Sequence, residues 1–165
     1  SGSGGVGIEA LSRGAFHAYF VENDAKAIEC IVDNLKFTNF TDRATVLKQD
    51  LNQVFETLVT IGNSNSYYVF LVPVNRELDL KKAAKAVGEK SISMVKSKDL
   101  LPLTGYIHGG CSPIGMKKSY KTVIDASAVD FDTIIFSGGK IGYQVELSLA
   151  DLKQVLRFEC EDIIS

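Results

Sequence analysis

The chain begins inside a glycine-rich loop: residues 1–7 read SGSGGVG and run directly into the helix-like stretch IEALSRG. Glycine lets a backbone turn tightly and come close to a ligand, so loops of this kind cradle a nucleotide or S-adenosylmethionine. Such a loop is aimed by a buried strand ahead of it, and this sequence starts at the loop. The expectation is a partial front domain, truncated or cut from a larger one, followed by some two-thirds of the chain with a different character.

At 165 residues the chain holds one domain, or at most one and a half. Its 45% hydrophobic and 23% charged residues are ordinary for a soluble globular protein. A net charge of −2 removes bulk charge as an argument for a nucleic-acid partner but leaves local lysine clusters open. No apolar run approaches the roughly 20 residues of a membrane span, and no secretory signal pattern is visible, so a cytoplasmic protein without a membrane partner is expected. Cys30, Cys111 and Cys160 are odd in number and widely spaced, which suits a reducing cytosol better than a disulfide framework.

Periodicity divides the chain into two rhythms. Residues 8–13 read as a short helix closed by Gly14, and 17–22 (HAYFVE) as a strand with an acidic end. Asp24 is a good N-cap for a helix over 25–36, whose Ala27, Ile28, Ile31, Val32 and Leu35 share one face. A second strand spans 44–48 and ends at Gln49-Asp50. From there hairpins dominate. Residues 54–61 and 67–74 are β-rich runs around Gly62-Asn63-Ser64-Asn65-Ser66. Asp79 caps a helix to Val87 that Gly88 stops, 91–95 is a short strand, and Ser97 caps a short helix ending near Pro102. A glycine-rich loop fills 105–115. Strands follow at 121–125 and 133–137, and Gly138-Gly139-Lys140 turns into 141–147. Ser148 with Asp151 forms a capping box for a last helix over 149–158. The fold class expected is mixed α/β, with helices around a mixed sheet.

The front stretches SGSGGVGIEALSRGA, FVEND and AKAIECIVDNL, with the strand ending at Gln49-Asp50, resemble the S-adenosylmethionine-binding half of RsmD-family rRNA guanine-N2 methyltransferases. The resemblance implies a Rossmann-like α/β segment in which Gly2, Gly4 and Gly7 line the cofactor, Glu22 binds the ribose hydroxyls and Asp50 sits near the adenine. The family's preceding strand is missing. So is its catalytic segment, an Asn or Asp followed by Pro-Pro and an aromatic, and methyl transfer is therefore not expected.

The stretches YYVFLVPVNRELDLKKAAKAVGEK, LTGYIHGGCSPIGMKK, TVIDAS and FSGGKIGYQVELS resemble the YbaK/EbsC family of aminoacyl-tRNA deacylases, relatives of the prolyl-tRNA synthetase editing domain. That resemblance implies hydrolysis of the ester joining a wrong amino acid, above all cysteine, to the proline tRNA. In this family catalysis leans on the substrate's ribose hydroxyl rather than on a protein nucleophile. An ester hydrolase needs donors for a developing oxyanion. Gly109, Gly110, Ser112 and Gly115 would supply them, stiffened by Pro113, with Ser137, Gly138 and Gly139 as a second wall. Lys117, Lys118 and Lys140 would meet tRNA phosphates. The departure is Glu56, where the resemblance predicts lysine in a Lys-Thr-Leu strand. Reversing that charge beside an anionic substrate costs on the order of several kcal/mol at low effective dielectric.

Neither a cofactor nor a metal is expected. His108 and Cys111 form a lone HxxC pair, short of a zinc ligand set, and Cys111 reads as a packed thiol. Lys81, Lys82 and Lys85 read as a solvated helix face. Two partial domains meeting without a linker read as a hybrid, engineered by joining segments, with a seam near 52–55 and one continuous core. Its front strands would enter the same sheet as 67–74. The deacylase activity would be weakened or lost. The alternative is a folded hybrid with no native function, and S-adenosylmethionine binding comes third. An exposed sheet edge would favour a homodimer.

Overall fold

Tyr67–Pro73 is apolar along its whole length and Lys121–Asp125 is buried from Thr122 onward, as expected of strands covered on both faces. They form the centre of the larger part of the molecule. The structure, a computed structural model, describes residues 3–22, 24–48 and 50–165, with Tyr19 described by its backbone alone. Gly2 and Gln49, both singled out in the sequence, lie outside the described residues. The chain divides into two compact units, Ser1–Leu51 and Asn52–Ser165.

In the first unit, helix α1 (Gly5–Ser12) leads to strand β1 (Ala18–Glu22), helix α2 (Ala25–Phe37) and strand β2 (Ala44–Lys48). Asp24 starts α2 by accepting the Ala27 N–H at 2.8 Å. β1 and β2 pair in parallel, from Ala18 opposite Ala44 to Glu22 opposite Lys48. Leu11, Phe20, Ile31 and Leu35 form this unit's own buried core. The expectation that these strands enter the sheet of residues 67–74 is corrected: among the described residues β1 and β2 pair with each other alone. The α2 crossover lets the pair bury its apolar face locally, against α1 and α2.

In the second unit, β3 (Phe55–Gly62) and β4 (Tyr67–Pro73) form an antiparallel hairpin with Phe55 opposite Pro73 and Ile61 opposite Tyr67. Its turn closes through the Gly62 N–H, 2.8 Å from the Ser66 carbonyl, with Asn65 in the left-handed region at φ 64°. Strand β5 (Ile92–Met94) flanks β3, and β6 (Lys121–Asp125) and β9 (Phe158–Glu161) continue the sheet in parallel, in the order β5-β3-β4-β6-β9. Side chains alternate along β4. Val69 and Leu71 join one core and Phe70 and Val72 the other. Helix α3 (Leu80–Val87) covers the Phe70 side through its buried Ala83 and Ala84. The Val69 side is covered by helix α4 (Ser97–Thr104), helix α5 (Leu149–Val155) and the antiparallel hairpin of β7 (Ile134–Ser137) and β8 (Gln144–Leu147).

Two boundaries differ from the sequence reading. The last helix ends at Val155, and Phe158–Glu161 is a strand beside β6. Its Glu159 and Glu161 point into solvent, which hides the alternation in a charged sequence. Helix α4 runs through Pro102 to Thr104 and stops at Gly105, whose φ of 87° suits glycine.

Candidate functional site

The loop over 105–115 and the turn over 138–143 come together because Tyr106 stands between them. A Cβ on Gly115 would lie 2.9 Å from the Tyr106 hydroxyl oxygen, and one on Gly139 would lie 2.8 Å from its ring. Both glycines also have positive φ, 73° and 94°. The Tyr106 hydroxyl donates to the Ile114 carbonyl at 2.6 Å, and its backbone N–H donates to the Thr104 hydroxyl at 3.0 Å. Gly110 makes the second contact. A Cβ there would stand 3.2 Å from the Ile141 backbone nitrogen. Bare backbone therefore faces backbone at the junction of the two glycine segments. Tyr106 lies within LTGYIHGG, where nothing in the sequence alone marks it for this role. Two glycines closing on one aromatic ring is a relation that only folding reveals.

The N–H donors of the two walls divide by use. Gly110 donates to the Ile107 carbonyl at 3.0 Å, Gly138 to the Tyr143 carbonyl at 2.8 Å, and Gly139 to the Ser137 hydroxyl at 3.3 Å. The N–H groups of Cys111 and Ser112 donate to no backbone carbonyl among the described residues. Ser112 is buried, and its hydroxyl accepts the Ile114 N–H at 3.3 Å. Pro113 is buried beside it. Ser137 is half-buried at the end of β7. The Cys111 thiol is buried, and desolvation pushes its pKa up to about 11, against a smaller opposing pull from a hydrogen bond with Thr104. It is a thiol, not a thiolate, near neutral pH.

Glu56 lies on β3 opposite Val72. Partial desolvation of its carboxylate raises its pKa above the ordinary 4.5, and the charge of His108 pulls the other way. The glutamate thus feels the same loop that carries Gly110 and Ser112. Of the lysines, Lys117 donates from Nζ to the Leu101 carbonyl at 3.3 Å, near the end of α4. Lys140 places Nζ 5.5 Å from the centre of the Tyr143 ring. Lys118 is exposed. On α3, Lys82 pairs with Asp162 at 2.9 Å and also donates to the Ile164 carbonyl, so it serves the fold, while Lys81 and Lys85 are exposed.

In the first unit, Gly4 is buried at φ 79°, 3.1 Å from the Phe20 ring by its hypothetical Cβ, and a Cβ on Gly7 would lie 2.5 Å from the same ring. The space a side chain would take is filled by Phe20, so the absence of a side chain at these two glycines lets α1 pack closely against β1. Glu22 ends β1 and accepts the Asp24 N–H at 3.3 Å. Asp50 is exposed and follows β2. No group of three or more metal-ligating side chains occurs among the described residues, and no described helix is long and apolar enough to cross a membrane.

Comparison with known proteins adds a family to this geometry. The model of the aminoacyl-tRNA editing domain matches residues 38–155. EbsC of Enterococcus faecalis, named as a candidate Cys-tRNA(Pro)/Cys-tRNA(Cys) deacylase, is 52% identical over 96 residues, 58% of this chain and 58% of its own length. YlbH of Bacillus subtilis, named as a candidate rRNA methyltransferase, is 37% identical over 89 residues, 54% of this chain and 48% of its own. The chain thus spans about half the length of the curated relatives it matches. The crystal structure of a candidate trans-editing enzyme for prolyl tRNA synthetase aligns with a TM-score of 0.65 at 19% identity, covering 100% of this chain and 98% of that one. It shares the mixed α/β fold.

Proposed function

The chain belongs to the aminoacyl-tRNA editing domain family, and from that membership we propose that the Asn52–Ser165 unit hydrolyses the ester of a mischarged tRNA, cysteine on the proline tRNA first. The observation that carries the reading is the Tyr106-locked junction of two glycine segments, with the Cys111 and Ser112 N–H groups left for a ligand. In ester hydrolysis water adds to the carbonyl carbon, negative charge builds on the carbonyl oxygen, and the tRNA ribose oxygen leaves. Fixed N–H donors stabilise that charge without reorganising, and removal of one such donor costs about a hundredfold or more in rate. Gly110, Pro113 and Ser112 hold the donor-bearing strip in place. Ser137 sits on the opposite wall. Cys111 is no nucleophile, because its thiol stays protonated. As the family resemblance implies, activation of the water leans on the substrate's own ribose hydroxyl. Lys117, Lys118 and Lys140 would meet the phosphates of the acceptor end.

Glu56 weakens this site. Its negative charge repels the anionic substrate, at a strand position where the family resemblance predicts a lysine. The test is deacylation of Cys-tRNA(Pro) by this chain and by Glu56→Lys. Slow hydrolysis by the chain and a rate at least about tenfold higher in the variant are expected. Two inactive, folded proteins would overturn the reading.

A second reading draws on the two relatives from different families and on the division of the chain after Leu51. We propose on these grounds that the chain is a hybrid whose front segment comes from a methyltransferase cofactor half, joined near 52–55. In that case any activity is what the second unit retains, and dimerisation through an open sheet edge is tested by sedimentation. S-adenosylmethionine binding at Gly2, Gly4, Gly7, Glu22 and Asp50 is the third reading, carried by the resemblance of the front segment alone. Calorimetric titration with the cofactor would reveal it.

A further inference from the structure

The turn that faces Gly110 carries two large apolar side chains in open solvent. Tyr143 is 63% exposed and Ile141 is 62% exposed. Single exposed apolar residues are ordinary on a protein surface. These two differ in three respects. Their backbone is fixed, by the Gly138 N–H donating to the Tyr143 carbonyl at 2.8 Å and the Tyr143 N–H to the Lys140 carbonyl at 3.0 Å. They adjoin the donor strip, since the position of a Cβ on Gly109 is 3.9 Å from the Ile141 side chain and one on Gly110 is 3.2 Å from the Ile141 nitrogen. A cation accompanies them, with Lys140 Nζ 5.5 Å from the Tyr143 ring centre.

We propose that Tyr143 and Ile141 form a stacking platform for the terminal nucleobase of the RNA whose 3′ ester the glycine segments receive. This rests on the aminoacyl-tRNA reading and deepens it by placing the last nucleotide. Aromatic rings stack on any base face, and a neighbouring lysine supplies the phosphate contact. The Lys140 ammonium lies over the ring in a weak cation–π contact at an exposed site, so a phosphate draws it off and leaves the ring face to the base. In a 3′-terminal nucleotide the phosphate, the base and the ester branch from one ribose, and the two adjoining segments offer one partner for each: Lys140 for the phosphate, Tyr143 and Ile141 for the base, Cys111 and Ser112 for the ester.

The probe is an unacylated RNA hairpin with a single-stranded 3′ tail ending in 2-aminopurine, whose fluorescence falls when the base stacks. The full chain should quench it, and Tyr143→Ala should lose the quenching and bind about tenfold more weakly. Tyr143→Phe should keep both. Lys140→Ala should keep the quenching but reduce the salt dependence by about one phosphate contact. Equal quenching and affinity in Tyr143→Ala, or equal quenching with 2-aminopurine moved into the duplex, would overturn the platform, as would no binding at low salt. Because the RNA carries no amino acid, quenching without any deacylase activity would fail the hydrolytic reading alone. Deacylation indifferent to Tyr143→Ala would fail the platform alone. Tyr143 is exposed, so its substitution leaves the core intact.

Discussion

Tyr106 joins two loops that are far apart in sequence by filling space left at Gly115 and Gly139. Gly139→Ala meets that ring at 2.8 Å and must hold alanine at φ 94°. A cost of about 1–3 kcal/mol in urea unfolding is expected. Tyr106→Phe loses only the hydroxyl bond to Ile114, so about 1 kcal/mol should go with the ring in place. A variant Gly139→Ala as stable as the parent would mean that the ring is not a fixed wedge. Glu56 gives a pH signature. Its pKa is raised in the folded state, so the protonated carboxyl is favoured by folding. The associated stability is complete below the unfolded value near 4.5 and is lost as pH rises through the folded value. Glu56→Gln should therefore gain stability relative to the parent at pH 7 and show no gain at pH 4. Equal differences at the two pH values in denaturant titrations would refute a desolvated carboxylate.

Among the elements, β3 carries an avoidable cost. The hydroxyls of Thr57 and Thr60 are buried with no hydrogen-bond partner among the described residues, and Thr60 is fully buried. Thr60→Val keeps the shape and removes a desolvated hydroxyl, so thermal unfolding should show equal or higher stability, by up to about 2 kcal/mol. At the other end of the chain the Ser148 hydroxyl accepts the Asp151 N–H at 3.1 Å, and Ser148→Ala should cost about 1 kcal/mol through loss of the α5 cap. These caps were readable in the sequence, as was α2 behind Asp24 and the strand at Ala44–Lys48, because each has a local cause. The last strand was not readable. Phe158–Glu161 is held by pairing with β6 and by contacts such as the Ile163 N–H donating at 3.1 Å to the buried Asp125 carboxylate, all of which lie far away in sequence. The same limit applies to the site. Gly110, Ser112 and Ser137 announce themselves by motif, but whether an N–H is free or already taken depends on Ile107, Tyr143 and Ser137, and no motif encodes it.

At the scale of the whole molecule, each unit has its own core, so the fragment covering 52–165 should fold and melt cooperatively without the rest. Circular dichroism of that fragment checks this, and a disordered fragment would show that the front segment is needed for folding. The larger unit places β4 between its two cores, with Val69 and Leu71 on one side and Phe70 and Val72 on the other. The strand is therefore a shared wall. Neither compartment can loosen alone at that place, because moving the wall wets both. Its amides should keep their protons longest of all in deuterium, exchanging only in the rare molecules that open completely, so that the slowest clock in this protein reads its full unfolding free energy.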